Sequence, residues 1–369
     1  MKPKNCTVAV LGGGISGAAA CLRLTQSGLE PLWVAKSLDS VDKVGEYLSP
    51  AARPLLAQLG AEALLDKPDH RAANSILSAW GSEQLIERNS MIHLEGSGTV
   101  LNRSVFERDL QALADSSVAQ RLDDLVVGAD WDDGVWQINL QSEESVQAGF
   151  LIDATGRSAK ITHSLASRFR ADKLAALCVF LEQDVSSEIE PTPTTLIETS
   201  EEGWWYATLL ADGRLTLNYY TDPDLLPKDV TRELSVFGAL VHKTRYISRW
   251  VDEAGFKLAS CPQLASAGTT WIAPGVGQDW IAIGDAVAAF DPLSSHGMSS
   301  ALWTAISGAD AVVSYLEGDP SPLSFYAKAV IAGIENYRTS RDYIYSQEKR
   351  FENSVFWQRR RSNLHARKG

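Results

Sequence analysis

Two stretches of this chain carry residue types and spacings that hold a dinucleotide. One is the turn Gly12-x-Gly14-x-x-Gly17; the other is 280–301, WIAIGDAVAAFDPLSSHGMSSA. In the turn, the first glycine permits the tight bend and the second lets the backbone approach a pyrophosphate. The third lets helix and strand pack closely. A helix opening at Ile15 and Ser16 would aim its first amides at phosphate. In the later stretch, Gly284-Asp285 ends a buried strand and can set one carboxylate beside a ribitol hydroxyl. Gly284 is expected to be bare because a side chain there would collide with the cofactor. Pro292 presets φ in the loop that follows. Gly297 and the next amides open a helix over 299–317 and can face the electron-rich edge of a flavin, stabilising its reduced anion. Only one Gly-rich turn occurs, so no second nucleotide domain for NAD(P)H is expected. The pair reads as a site for FAD rather than for a nicotinamide cofactor.

Other residues have two readings each. His296 lies in the flavin loop and is either a proton donor or a solvated loop histidine. Glu46 follows Gly45 and either accepts a hydrogen bond from flavin or substrate or caps the helix near Pro50. Trp204 and Tyr206 share one face of a strand and either line a substrate cavity or pack the core. The end of the second strand should offer a carboxylate to ribose, but it reads Val34-Ala35-Lys36. Lys36 is either a phosphate ligand or solvated; the adenosine end is then less well anchored than usual, or Asp39 or Asp42 replaces the missing acid.

The elements that must position these groups are legible as patterns. Residues 7–11, the glycine turn, a helix over 15–27 and a strand over 31–35 make one βαβ unit with a right-handed crossover. A helix starts near Pro50. Residues 103–115 are amphipathic, with Phe106, Leu110 and Leu113 on one face. A hairpin spans 125–140 around Asp132-Asp133-Gly134, and 150–153 is a strand ending in Asp153-Ala154-Thr155-Gly156-Arg157. The middle third alternates or runs apolar with aromatics at 175–182, 194–199, 204–210 and 214–220, which predicts a mostly antiparallel inserted sheet. From Pro320 the chain reads as helical and ends in the basic run Arg359–Arg361 with Arg367 and Lys368. That run is expected to be a frayed, solvated terminus or a partner-docking tail.

Composition sets the limits. The 369 residues carry a net charge of −12, which argues against a non-specific nucleic-acid binder. No apolar run reaches the roughly 18 residues of a membrane span. The N-terminus enters a strand directly, so a cytoplasmic protein without a signal peptide is expected. The four cysteines form no Cys-x-x-Cys pair, so reduced thiols and no metal site are expected.

Taken together, the motifs resemble the flavin-dependent monooxygenases of the p-hydroxybenzoate-hydroxylase fold, in the tryptophan-halogenase-like branch. The shared pieces are Gly12, Gly14 and Gly17, Gly45-Glu46 before Pro50, and Arg103 before Phe106. DATGR at 153–157, GWWYA at 203–207 and Asp212-Gly213-Arg214 follow, then GD…DPLSS.GM at 284–298 and Phe356-Trp357-x-Arg359-Arg360. The resemblance implies an α/β fold: a Rossmann-like FAD-binding domain of the glutathione-reductase type, an inserted antiparallel sheet domain and C-terminal helices. The FAD-binding domain would comprise 1–75, 99–160 and 270–320, the substrate domain 76–98 and 161–269, and the helical segment 321–369. It places Arg103 near the pyrophosphate, Thr155 and Gly156 in the cofactor site, Asp285 near the ribitol, and the loop Pro292, Ser295, Gly297 and Met298 near the isoalloxazine.

Halogenases of this branch have a Trp-x-Trp-x-Ile-Pro segment and an essential lysine. The nearest segment here is Trp204-Trp205-Tyr206-Ala207-Thr208-Leu209, and Lys36, Lys43, Lys67 and Lys160 have no motif context. The chain is most similar to the LodB/GoxB-type flavoproteins that serve tryptophylquinone biogenesis. That likeness implies O2-dependent oxygenation of a tryptophan in a precursor quinoprotein amino-acid oxidase, with the reductant left open. The alternatives are a small-molecule aromatic hydroxylase or halogenase, and a non-catalytic maturation chaperone.

Overall fold

The computed structural model describes residues 4–38, 41–89 and 97–365. Strand Lys4–Leu11, helix α1 (Ile15–Gln26) and strand Leu32–Val34 form the expected βαβ unit. Lys4–Leu11 pairs in parallel with Leu32–Val34 on one side and with Ser145–Asp153 on the other. Strand Trp280–Ala282 adds in parallel, with Asp153 opposite Ala282. Leu11, Asp153 and Ala282 therefore end side by side. Their three loops, the glycine turn, DATGR and Gly284-Asp285, meet outside the carboxyl ends of one sheet, where open α/β sheets bind ligands.

Helix α2 (Ala52–Gln58) starts two residues after Pro50. Helix α3 (Arg103–Asp115) has the predicted bounds; the Asn102 side chain caps it by accepting from the Val105 amide. Phe106 and Leu110 are fully buried, and Ala114 rather than Leu113 completes the buried stripe.

The second large sheet contains Ala175–Gln183, Thr195–Ser200, Gly203–Leu209 and Leu215–Thr221, all antiparallel. Thr195–Ser200 also pairs in parallel with Ser75–Ala79, so the insertion is tied to an earlier segment. Period-two alternation splits its faces. Trp205, Leu217 and Tyr219 face helices α4 (Leu234–Val241) and α5 (Tyr246–Glu253) in a closed apolar cluster. Trp204, Tyr206, Asn218 and Tyr220 take the opposite face, toward the first sheet.

Helices α6 (Gly297–Leu316), α7 (Ser321–Ser346) and α8 (Val355–His365) complete the chain. Helix α6 packs on α1 and α7, and none of the helices is long and apolar enough to cross a membrane among the described residues. The basic run is not a frayed terminus. Phe356 and Trp357 are fully buried, and the Arg360 guanidinium beside them is 2% exposed. Arg360 donates to both Asp222 oxygens, Arg359 to Asp222 and Asp224, and Arg361 to the Glu348 carbonyl. Acidic residues on the inserted sheet's exit loop neutralise the run, so it folds as a helix. Arg367 and Lys368 lie outside the described residues.

Candidate functional site: a cleft between the two sheets

The three glycines of the turn have separable jobs. Gly12 has φ +121°, and a Cβ on it would lie 2.2 Å from the Ala154 carbonyl oxygen. A Cβ on Gly17 would lie 1.9 Å from the Gly12 oxygen, so it sets the packing of α1 on the strand. Gly14 meets nothing within 4 Å; it opens on the cleft and is the N-cap of α1, with no side chain satisfying the first amides. Across the cleft, Gly297 begins α6 and is equally open, and α6 also lacks a side-chain cap bond. Two uncapped helix N-termini thus face one space, which encloses about 1490 Å³ including its open mouth. Such ends favour anionic groups.

Gly14, Ile15, Ser16, Glu46, Arg103, Gly156, Asp285, Pro292, Ser295, Gly297 and Met298 line this cleft, with Trp204 and Tyr206 on the far wall. Arg103 is held by Glu107 at 2.7 Å and by the Val44 carbonyl at 2.5 Å, which ties the 41–46 segment to α3. Burial pushes the Glu107 carboxyl up, but Arg103 and Lys43 outweigh it and hold the group below its ordinary value. At Asp285, burial raises the carboxyl; Arg157, 3.6 Å away, and Arg103 offset this only in part. Its side chain is half-exposed because it faces the cleft.

Glu46 is the site's most unusual group. It is 2% exposed, its Oε1 accepts from Thr216 Oγ1 at 3.0 Å, and its Oε2 has no partner. Burial raises its pKa, and its own backbone amide, the Thr216 bond, Arg103 and the Gly45 amide only reduce the rise. The helix-capping reading fails: the N-cap of α2 is Ala51, and Glu46 points at the inserted sheet. Tyr206 Oη and Asn218 Oδ1, opposite one another in register, are likewise buried without partners. Trp204 serves both readings at once: it is 1% exposed, stacks on Tyr220 at 4.0 Å between centroids, and lines the cleft.

Several expected residues are placed elsewhere. A Cβ on Gly284 would meet Ser16 Oγ at 2.4 Å, and φ is +59°. The glycine is thus required by the approach of α1. Thr155 does not line the cleft; its hydroxyl donates to Asp153 at 2.6 Å and accepts from the Lys160 amide. Lys36 is exposed at the end of the second strand, away from the cleft. Asp42 does not replace the ribose acid, because Arg214 takes both its oxygens. Asp39 lies outside the described residues. His296 is exposed and lines a separate, mainly apolar cavity between α2, α6 and α7, behind the loop that carries it. Ser295, in the left-handed region at φ +54°, turns the chain so that successive residues face opposite cavities.

Thr216, Asn218 and Tyr220 were not singled out from sequence. Their signal is present, since LTLNYYT sets a polar group at every second position of a strand that is buried throughout.

No protein-family model matches the chain. LodB of Marinomonas mediterranea, an oxidoreductase assigned as FAD-dependent, is 27% identical over 95% of both chains. The peptidyl tryptophan dihydroxylase QhpG, essential for tryptophylquinone cofactor biogenesis, superimposes with a TM-score of 0.80 at 24% identity, over 96% of this chain and 78% of that one. The myxobacterial chondrochloren halogenase CndH, an FAD-dependent enzyme, gives 0.87 at 16% identity, over 99% and 89%. The fold is thus that of the flavin-dependent halogenases and hydroxylases. The sequence is similar to LodB along nearly its whole length.

Proposed function

We propose that the chain is an FAD-dependent monooxygenase that oxygenates an aromatic side chain, a tryptophan of a precursor quinoprotein amino-acid oxidase. The observation that carries this reading is the pair of open helix N-termini, at Gly14 and Gly297, facing one cleft whose far wall is aromatic. The residues present fit FAD. The α1 amides would hold the pyrophosphate, Asp285 the ribitol, and the α6 N-terminus the ring's electron-rich edge. FAD, when bound, supplies the two-electron activation of O2.

The chain's own residues do the rest. Burial raises the pKa of Glu46 and so favours its protonated form, and its Oε2 has no hydrogen-bond partner in the protein; when protonated, the carboxyl would donate to an oxygen atom bound in the cleft it lines. Trp204 and Tyr220 give an apolar face against which an indole can lie and from which water is excluded. No lysine lines the cleft among the described residues, which weighs against halogenation by this chain. Free cysteines throughout fit a reducing cytoplasmic setting.

Co-expression with a tryptophan-bearing precursor, followed by intact mass, tests the proposal. The expected result is a gain of one or two oxygen atoms on the precursor that requires this chain. A precursor of unchanged mass, with FAD-loaded protein present, would overturn the substrate assignment.

A further inference from the structure

We propose that Tyr345, near the end of α7 and outside the cleft lining, is a positioning residue whose hydroxyl fixes the spacing of the cleft's two walls. It accepts from Trp204 Nε1 at 3.0 Å and donates to Asp291 Oδ2 at 2.7 Å. A phenol has one proton to give, and here that proton is directed to the carboxylate. Trp204 belongs to the sheet wall, where it stacks on Tyr220. Asp291 begins the loop wall; its Oδ1 accepts from the Leu293 amide and caps the Pro292–Ser294 turn. The same turn delivers Pro292, Ser295, Gly297 and Met298 to the cleft. One oxygen atom therefore joins an indole of the sheet wall to the loop that forms the opposite wall.

The surroundings leave that oxygen little freedom. Tyr345 is 1% exposed, with Trp80 and Trp357 against its ring at 5.7 and 5.9 Å. Arg341 donates to Asp291 Oδ2 from the preceding turn of α7, and the Tyr337 hydroxyl accepts from the Asp291 amide. Because these groups are buried, no water replaces a lost partner cheaply. The C-terminal helices thereby act on the cleft through Tyr345. This inference rests on the FAD reading for its functional consequence, though not for its geometry.

Tyr345→Phe keeps the ring and removes both bonds. Tyr326→Phe is the control: its hydroxyl is also buried and donates to the Ala282 carbonyl, and it touches neither Trp204 nor Asp291. Both variants should lose thermal stability. Only Tyr345→Phe should shift the visible band of bound flavin, weaken FAD by about tenfold and lower kcat with little change in KM. In ligand-free protein it alone should speed amide exchange in both 203–209 and 291–298. Equal exchange in the two variants would overturn the positioning role, whether or not FAD binds. Failure of the wild type to take up FAD would overturn the flavin reading, while the exchange result would still decide the role of Tyr345.

Discussion

Thr216 donates to one oxygen of the Glu46 carboxyl at 3.0 Å, and the other oxygen is buried without a hydrogen-bond partner. This half-satisfied acid sits where the 41–46 segment crosses the inserted sheet. Burial, the dominant influence, raises its pKa in the folded chain above the unfolded value of about 4.3. Between those two values the folded state binds more protons than the unfolded state, so stability falls as pH rises through the window. Glu46→Gln should flatten that decline, seen as unfolding midpoints measured from acid to neutral pH. It should also abolish the proton-dependent limb of the turnover profile. Parallel stability curves for the two proteins would contradict the assignment.

Two glycines of the turn, Gly17 and Gly14, should separate folding from cofactor binding. Gly17→Ala places a methyl 1.9 Å from a backbone oxygen and should cost about 1–3 kcal/mol or more, lowering the melting temperature of ligand-free protein. Gly14→Ala meets nothing and should leave that temperature nearly unchanged. It should instead weaken FAD, because the added methyl enters the space where phosphate approaches. Calorimetry of ligand-free protein and an FAD titration check the two halves.

Asp222 neutralises Arg360, which is almost completely buried, and also receives Arg359. Burial pushes the Asp222 carboxyl up, yet Arg360 and Arg359 together hold it below its ordinary value. Asp222→Ala leaves a buried charge without its main counter-ion and should destabilise the chain by about 3–5 kcal/mol in urea unfolding. By the same linkage, the pair's contribution is present above the unfolded aspartate pKa and fades as pH falls through the folded one.

The chain alone shows the βαβ unit, the bounds of α3 and the aromatic inserted sheet, because hydrophobic period and turn residues are local properties. It does not show which partner a polar side chain meets. Gly284 is called for by Ser16, 268 residues away in sequence, and the basic tail is neutralised by Asp222 on another element. His296 falls within the signature loop, yet the left-handed Ser295 sends it to the opposite cavity. Such contacts depend on tertiary approach and leave no periodic trace.

Bromide added to the reduced, FAD-loaded protein with an aromatic acceptor should give no brominated product. Lys43 and Lys67 are engaged by Glu107 and Asp109, and no lysine reaches the cleft among the described residues. Mass spectrometry of the acceptor checks this; a bromide-dependent product would contradict it.

Titration of the purified ligand-free chain with FAD, followed by visible absorption, tests the flavin cleft most directly. The account predicts saturable one-to-one uptake with a perturbed flavin band, weakened by Gly14→Ala. A chain that stays colourless and leaves the spectrum of free FAD unchanged at every concentration would contradict it.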